Sequence, residues 1–166
     1  MSPRGVHARL PFMVTVERLD HRNLATAEQI WYLQHAAYRE EAALIGSAGL
    51  PPLMETVAGI RGCGETFYGI RDEHGSLIAA ISVKTDGDAV TVCRLMVHPA
   101  MFRRGLARRL LAHVERECAD AARIRVTAAA KNEPAVRLYA SMGFVPAQTF
   151  SPVPGLSLTE YVKILR

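Results

Sequence analysis

At 166 residues, 49% of them hydrophobic and 22% charged, the chain has the size and balance of one self-folding domain, which excludes a disordered or fibrous protein. Its apolar stretches, such as residues 77–83, fall far short of the roughly 20 residues needed to span a bilayer, so no membrane segment is expected. The net charge of +4 is concentrated in Arg103, Arg104, Arg108 and Arg109, with Arg94 nearby, which points to a local anion site rather than a nucleic-acid face.

Residues 1–13 read as a flexible leader; Pro11 and Glu17 interrupt any secretory h-region. Residues 14–166 read as a single domain. Cys63, Cys93 and Cys118 are odd in number, widely spaced and without a C-x-x-C pair, so neither a disulfide framework nor a metal site is expected, and a cytoplasmic location fits.

Residues 14–19 alternate as a first strand, and Thr26-Ala-Glu-Gln29 reads as a capping box opening a helix with Ile30, Leu33, Ala37 and Leu44 as its apolar stripe. Residues 46–52 break that pattern, and residues 53–60 predict a short second helix before the Gly62-Cys63-Gly64 breaker. Residues 66–71 and 77–84 predict a hairpin around Asp72–Gly75. Another turn at residues 86–88 leads to a strand over residues 90–97, apolar on both faces at its end and therefore central, stopped by Pro99. From Gly105, the spacing of Ala107, Leu110, Leu111, Val114 and Cys118 predicts a helix packed on a sheet. Residues 124–129 form the next strand, Ala135, Leu138, Tyr139 and Met142 mark a further helix ended by Gly143, and residues 144–150 and 156–165 close the chain as two strands.

A strand, a short loop and a helix opening at Gly105 gather unbonded N–H groups at the positive end of a helix dipole. Arg103, Arg104 and Arg108 add charge, and Gly105 and Ala107 leave the main chain open to a diphosphate. A tight turn carrying solvated arginines gives the same pattern, so the segment alone leaves both readings open. It is neither a P-loop nor a G-x-G-x-x-G turn.

Phe102-Arg-Arg-Gly-Leu-Ala107 resembles motif A, Q/R-x-x-G-x-G/A, of the GCN5-related N-acetyltransferase (GNAT) superfamily. Asn132-Glu-Pro-Ala-Val-Arg-Leu-Tyr-Ala-Ser-Met-Gly-Phe144 is similar to the same family's motif B, N-x-x-A-x-x-L-Y-x-x-x-G-F, at every fixed position. Phe102 departs from motif A at its first position, which removes the family's side-chain contact there and leaves the backbone contacts.

The resemblance implies an α/β fold: a mixed, mostly antiparallel twisted sheet of about seven strands with about four helices on its faces. It further implies an N-acetyltransferase that moves acetyl from acetyl-CoA, an acyl-donor cosubstrate, to a primary amine by direct attack. The implied donor-binding residues are Leu95, Met96, Val97, Arg103, Arg104, Gly105, Leu106, Ala107, Arg108 and Asn132, and Tyr139 is the implied general acid toward the CoA sulfur. With phenol near pKa 10 and thiol near 8.5, that proton transfer is uphill by about 2 kcal/mol, so Tyr139 assists without being indispensable. Asn132 is equally suited to cap its helix. Cys93 is expected to be structural, not a nucleophile.

No general base is legible; His98, Glu65 and Glu55 are candidates of equal standing. Trp31, Tyr32, Tyr38 and residues 50–53 are candidates to line the acceptor pocket or simply to pack. The alternative is a non-catalytic acyl-CoA-binding module; no nucleic-acid or membrane partner is expected, and either a monomer or a homodimer is compatible with the sequence.

Overall fold

The computed structural model describes residues 13–46 and 54–166. Its elements are β1 (Val16–Leu19), α1 (Leu24–Ile45), α2 (Val57–Gly62), β2 (Thr66–Arg71), β3 (Leu77–Asp86), β4 (Ala89–Val97), α3 (Leu106–Glu117), β5 (Arg123–Ala129), α4 (Glu133–Ser141), β6 (Val145–Val153) and β7 (Leu156–Ile164). A 3₁₀ turn, Pro99–Met101, follows β4. The strands form one sheet in the order β1-β2-β3-β4-β5-β7-β6, with β4–β5 parallel and every other neighbour antiparallel. This is the mixed, mostly antiparallel sheet that the motifs imply, and β4 is its middle strand.

Strand alternation distributes the core to two faces. Ala79, Ile81 and Val83 of β3 join Val90 and Val92 of β4 against Leu106, Leu110, Leu111 and Val114 of α3 and Tyr139 of α4. On the other face Phe67, Ala80 and Met96 pack against Ala27, Ile30 and Leu33 of α1 and Ile60 of α2.

Three local expectations shift. Helix α1 opens at Leu24 because the Asn23 side chain accepts the Thr26 N–H, so Asn23, not Thr26, is the cap. Its predicted stripe also ends early, since Leu44 is half exposed. Helix α2 runs over Val57–Gly62 under a Thr56 cap; the predicted start at Leu53, with residues 47–52, lies outside the described residues. In α3 the buried stripe runs through Leu106 rather than Ala107.

The decisive feature is where β4 and β5 part. They pair only at Ala89–Arg123, Val90–Ile124 and Thr91–Arg125. Beyond Thr91, β4 keeps β3 as its partner while β5 stays paired with β7 throughout. The β3 register skips Cys93, because Val83 faces Val92 and Ser82 faces Arg94, and such a bulge bends a strand and increases its twist. The sheet therefore opens into a wedge between residues 92–97 and 126–129.

Candidate active site

The wedge is lined on one side by β4 main chain. His98 donates its N–H to Ile78 O, and by alternation the Met96 N–H also faces β3, whereas those of Leu95 and Val97 face the wedge. Of the three strand residues singled out from the sequence, Met96 is thus the exception: its amide is turned to β3 and its side chain is fully buried against α1.

Helix α1 crosses the open wedge. Ile30 and Leu33 lie over Ala80 and Met96, and Ala42, about three turns later, packs on Ala129 at the end of β5. Between them the Tyr38 hydroxyl hydrogen-bonds the Leu95 backbone. One turn on, Glu41 Oε1 accepts from Asn132 Nδ2 at 3.3 Å. Burial raises the Glu41 carboxyl above its ordinary range, with the Asn132 bond opposing the shift.

Asn132 does double duty, since its Oδ1 also accepts the Ala135 N–H and caps α4. Cap and side-chain contact therefore coexist, as the sequence left open. Tyr139, on the next turns of α4, is 4% exposed, with its ring beside those of Phe144 (5.8 Å) and Tyr161 (5.7 Å). Burial first, then Tyr38 and Glu41, hold its phenol well above the ordinary value.

The basic turn lies at the start of α3. Arg103 adopts φ 62° and Gly105 φ 75°, both left-handed, and Gly105 caps α3 without any side chain. The first backbone bond of the helix runs from Arg109 N to Gly105 O, so the N–H groups of Leu106, Ala107 and Arg108 have no partner within it. A β-carbon built on Gly105 meets nothing within 4 Å, which leaves the turn open from outside. Arg103 and Arg108 are exposed and Arg104 is partly so; Arg108 Nη2 reaches Ser141 Oγ at 2.6 Å, tying the turn to α4. Leu106 offers only its amide, its side chain being core.

Arg94 does not belong to that cluster. It is 9% exposed on the α1 face of β4, where its guanidinium holds Glu65 through two bonds of 3.0 Å and Glu55 through Nη2 at 3.0 Å and Nη1. Gln34 accepts from Arg94 Nη1 at 2.9 Å, and Ser82 donates to Glu65 at 2.6 Å. Burial would raise the Glu65 carboxyl, but the bonds from Arg94 and Ser82 outweigh it and hold it below the usual range. A charged residue at a core-facing strand position was the one sequence signal for this network.

The remaining candidates take structural parts. His98 Nδ1 accepts the Ala100 N–H and closes the 3₁₀ turn. The Cys93 thiol, pushed up to about 11 by desolvation and by Glu65, is scarcely ionised at neutral pH. Trp31 Nε1 donates to Glu55 O at 2.9 Å, Tyr32 is 70% exposed, and residues 50–53 lie outside the described residues. Among these aromatic residues Tyr38 is the one that meets the wedge.

A seven-stranded sheet opened between two parallel central strands, with a helix start of unbonded N–H groups and a tyrosine-bearing helix beside the opening, is the architecture of the acetyltransferase (GNAT) fold. Residues 47–144 match the acetyltransferase (GNAT) family, and the chain belongs to that family. It is 40% identical over 146 residues to the UPF0157 protein YqkA of Bacillus subtilis, an alignment covering 88% of this chain and 42% of that protein. The chain thus spans less than half the length of that curated relative.

The fold is shared with the ribosomal-protein-S18-alanine N-acetyltransferase of Escherichia coli, at TM-score 0.72 and 19% identity over 92% of this chain and 94% of that one. It is shared equally with the PaiA N-acetyltransferase of Thermoplasma acidophilum, solved in complex with coenzyme A, at TM-score 0.71 and 13% identity over 90% and 98% of the two chains.

Proposed function

We propose that the chain transfers an acetyl group from acetyl-CoA to a primary amine of a small molecule or peptide, by direct attack in a ternary complex. The wedge carries the reading: it is a slot in the middle strands with the open start of α3 on one face and α1 on the other. The solved fold relative with coenzyme A bound supports the choice of donor.

In this reading the amides of Leu106, Ala107 and Arg108 hold the pyrophosphate, with Arg103, Arg104 and Arg108 supplying charge. Asn132 meets the pantetheine arm. The Val97 amide faces the thioester and stabilises the oxyanion that forms when the amine attacks, while the Leu95 amide is held by Tyr38. Tyr139 donates a hydrogen bond to the leaving sulfur. With its phenol held above the ordinary value, it assists by hydrogen bonding more than by complete proton transfer.

Calorimetric titration with acetyl-CoA tests the donor half, with micromolar affinity that weakens as salt rises as the expected result. A screen of primary amines, read by CoA thiol release, tests the transfer half. Undetectable acetyl-CoA binding sinks the proposal, and binding without turnover across the screen assigns the chain to acyl-CoA binding instead.

A further inference from the structure

Direct attack requires a neutral amine, whereas alkyl amines are protonated at neutral pH; some group must take that proton. Three groups that the sequence offered are engaged elsewhere: Glu55 and Glu65 are clamped by Arg94, and His98 caps its own turn. Among the described residues two half-buried carboxylates on the α1 side of the wedge escape that clamp: Glu160 of β7, opposite Thr127, and Glu41, which alone sits on the helix that crosses the opening. Glu41 lies on that face, between Tyr38, which holds the Leu95 amide, and Ala42, which rests on the end of β5. It hydrogen-bonds Asn132, the cap of the helix that carries Tyr139.

We propose that Glu41 is the base that deprotonates the acceptor amine in the wedge. The assignment rests on the acetyl-transfer reading and adds the acceptor's side to it. With the donor entering from the α3 start, the acceptor comes from the opposite, α1 face, where Glu41 is. The Glu41 carboxylate takes a proton from R–NH3+, giving R–NH2 and the carboxylic acid. The amine nitrogen then bonds to the thioester carbon, and the carbonyl electron pair moves to oxygen. When that pair returns, the C–S bond breaks with its electrons on sulfur. The proton of the nitrogen passes to sulfur, giving the amide and CoA thiol, and Glu41 releases its proton to solvent. Burial raises the Glu41 carboxyl, the direction that makes it a better base for an alkylammonium, and Tyr38, Tyr139 and Asn132 are the polar groups around it.

The test compares wild type, Glu41→Gln and Glu41→Asp with acetyl-CoA and two acceptors of similar shape, benzylamine and O-benzylhydroxylamine, the latter already neutral at pH 7. The expected result is that Glu41→Gln lowers kcat with benzylamine by about 100-fold and with the neutral acceptor by less than about threefold. Glu41→Asp should retain part of the benzylamine rate, and acetyl-CoA affinity should be unchanged in both variants. Equal losses on the two acceptors, or no loss on either, overturn the role of Glu41. Acetyl transfer itself is judged separately, by wild-type turnover of the neutral acceptor.

Discussion

Tyr139 and Arg94 show how burial redirects a side chain's chemistry. Motif B marks Tyr139 as a proton donor, but a phenol held this far above its ordinary value does not ionise in the range where enzymes are assayed. Tyr139→Phe is therefore expected to lower kcat about tenfold to a hundredfold, the worth of one hydrogen bond to a charged atom, and to leave acetyl-CoA affinity within about twofold. Any alkaline limb of the rate profile should persist in the variant; its disappearance would return ionisation of Tyr139 to the mechanism. Arg94 is a matter of stability. Arg94→Met strands Glu55 and Glu65, at a cost of about 3–5 kcal/mol at neutral pH by urea denaturation. Glu65 has a depressed folded-state pKa, so its contribution is present above the unfolded value near 4.3 and lost as pH falls. The gap between variant and wild type should accordingly narrow in acid.

At the scale of elements, what was legible in the sequence was what local chemistry decides. Gly75, Gly143 and Gly155 sit in left-handed turns where strands and helices end, and the motif helices fall where their periodicity puts them. Misreadings came from competition between equally good local signals. Asn23 outcompeted the Thr26 box for the start of α1. The site's second half was not legible at all. Asn132 and Glu41 are 91 residues apart, and Arg94 and Gln34 are 60 apart, so only the path of α1 over the sheet makes them neighbours.

The Gly105 turn is the part of the site that an element-scale experiment reaches most directly. Because nothing crowds its missing side chain, Gly105→Ala should cost only the left-handed backbone, about 1–2 kcal/mol, or roughly 2–8 °C in Tm by calorimetry. Gly105→Asn, which tolerates that conformation better, should lose less than the alanine variant. Equal losses would point to a steric role for the glycine instead.

Taken whole, the molecule is two packed faces around one incomplete sheet. Acetyl-CoA at about 100 times its dissociation constant is expected to add about 2.7 kcal/mol of stability, read as a rise in Tm that tracks ligand concentration. Hydrogen exchange locates that gain: the Val97 amide should slow on ligand addition more than that of Met96, which already faces β3. Uniform slowing across β4 would place the ligand elsewhere.

The short β4–β5 pairing also has a mechanical consequence. Strands β1 to β4 form one panel and β5, β7 and β6 another, and the main-chain seam between them is three residue pairs with the Ala122 N–H to Asp88 O bond at their end. Tension applied between β1 and β7 crosses that seam, which is braced by α1 through Ala42 and Ala129 on one face and by the α3 core, packed on both β4 and β5, on the other. The seam is where the molecule should tear first under load. A donor seated along it would act as a rivet, so the force needed to part the panels becomes a gauge of occupancy.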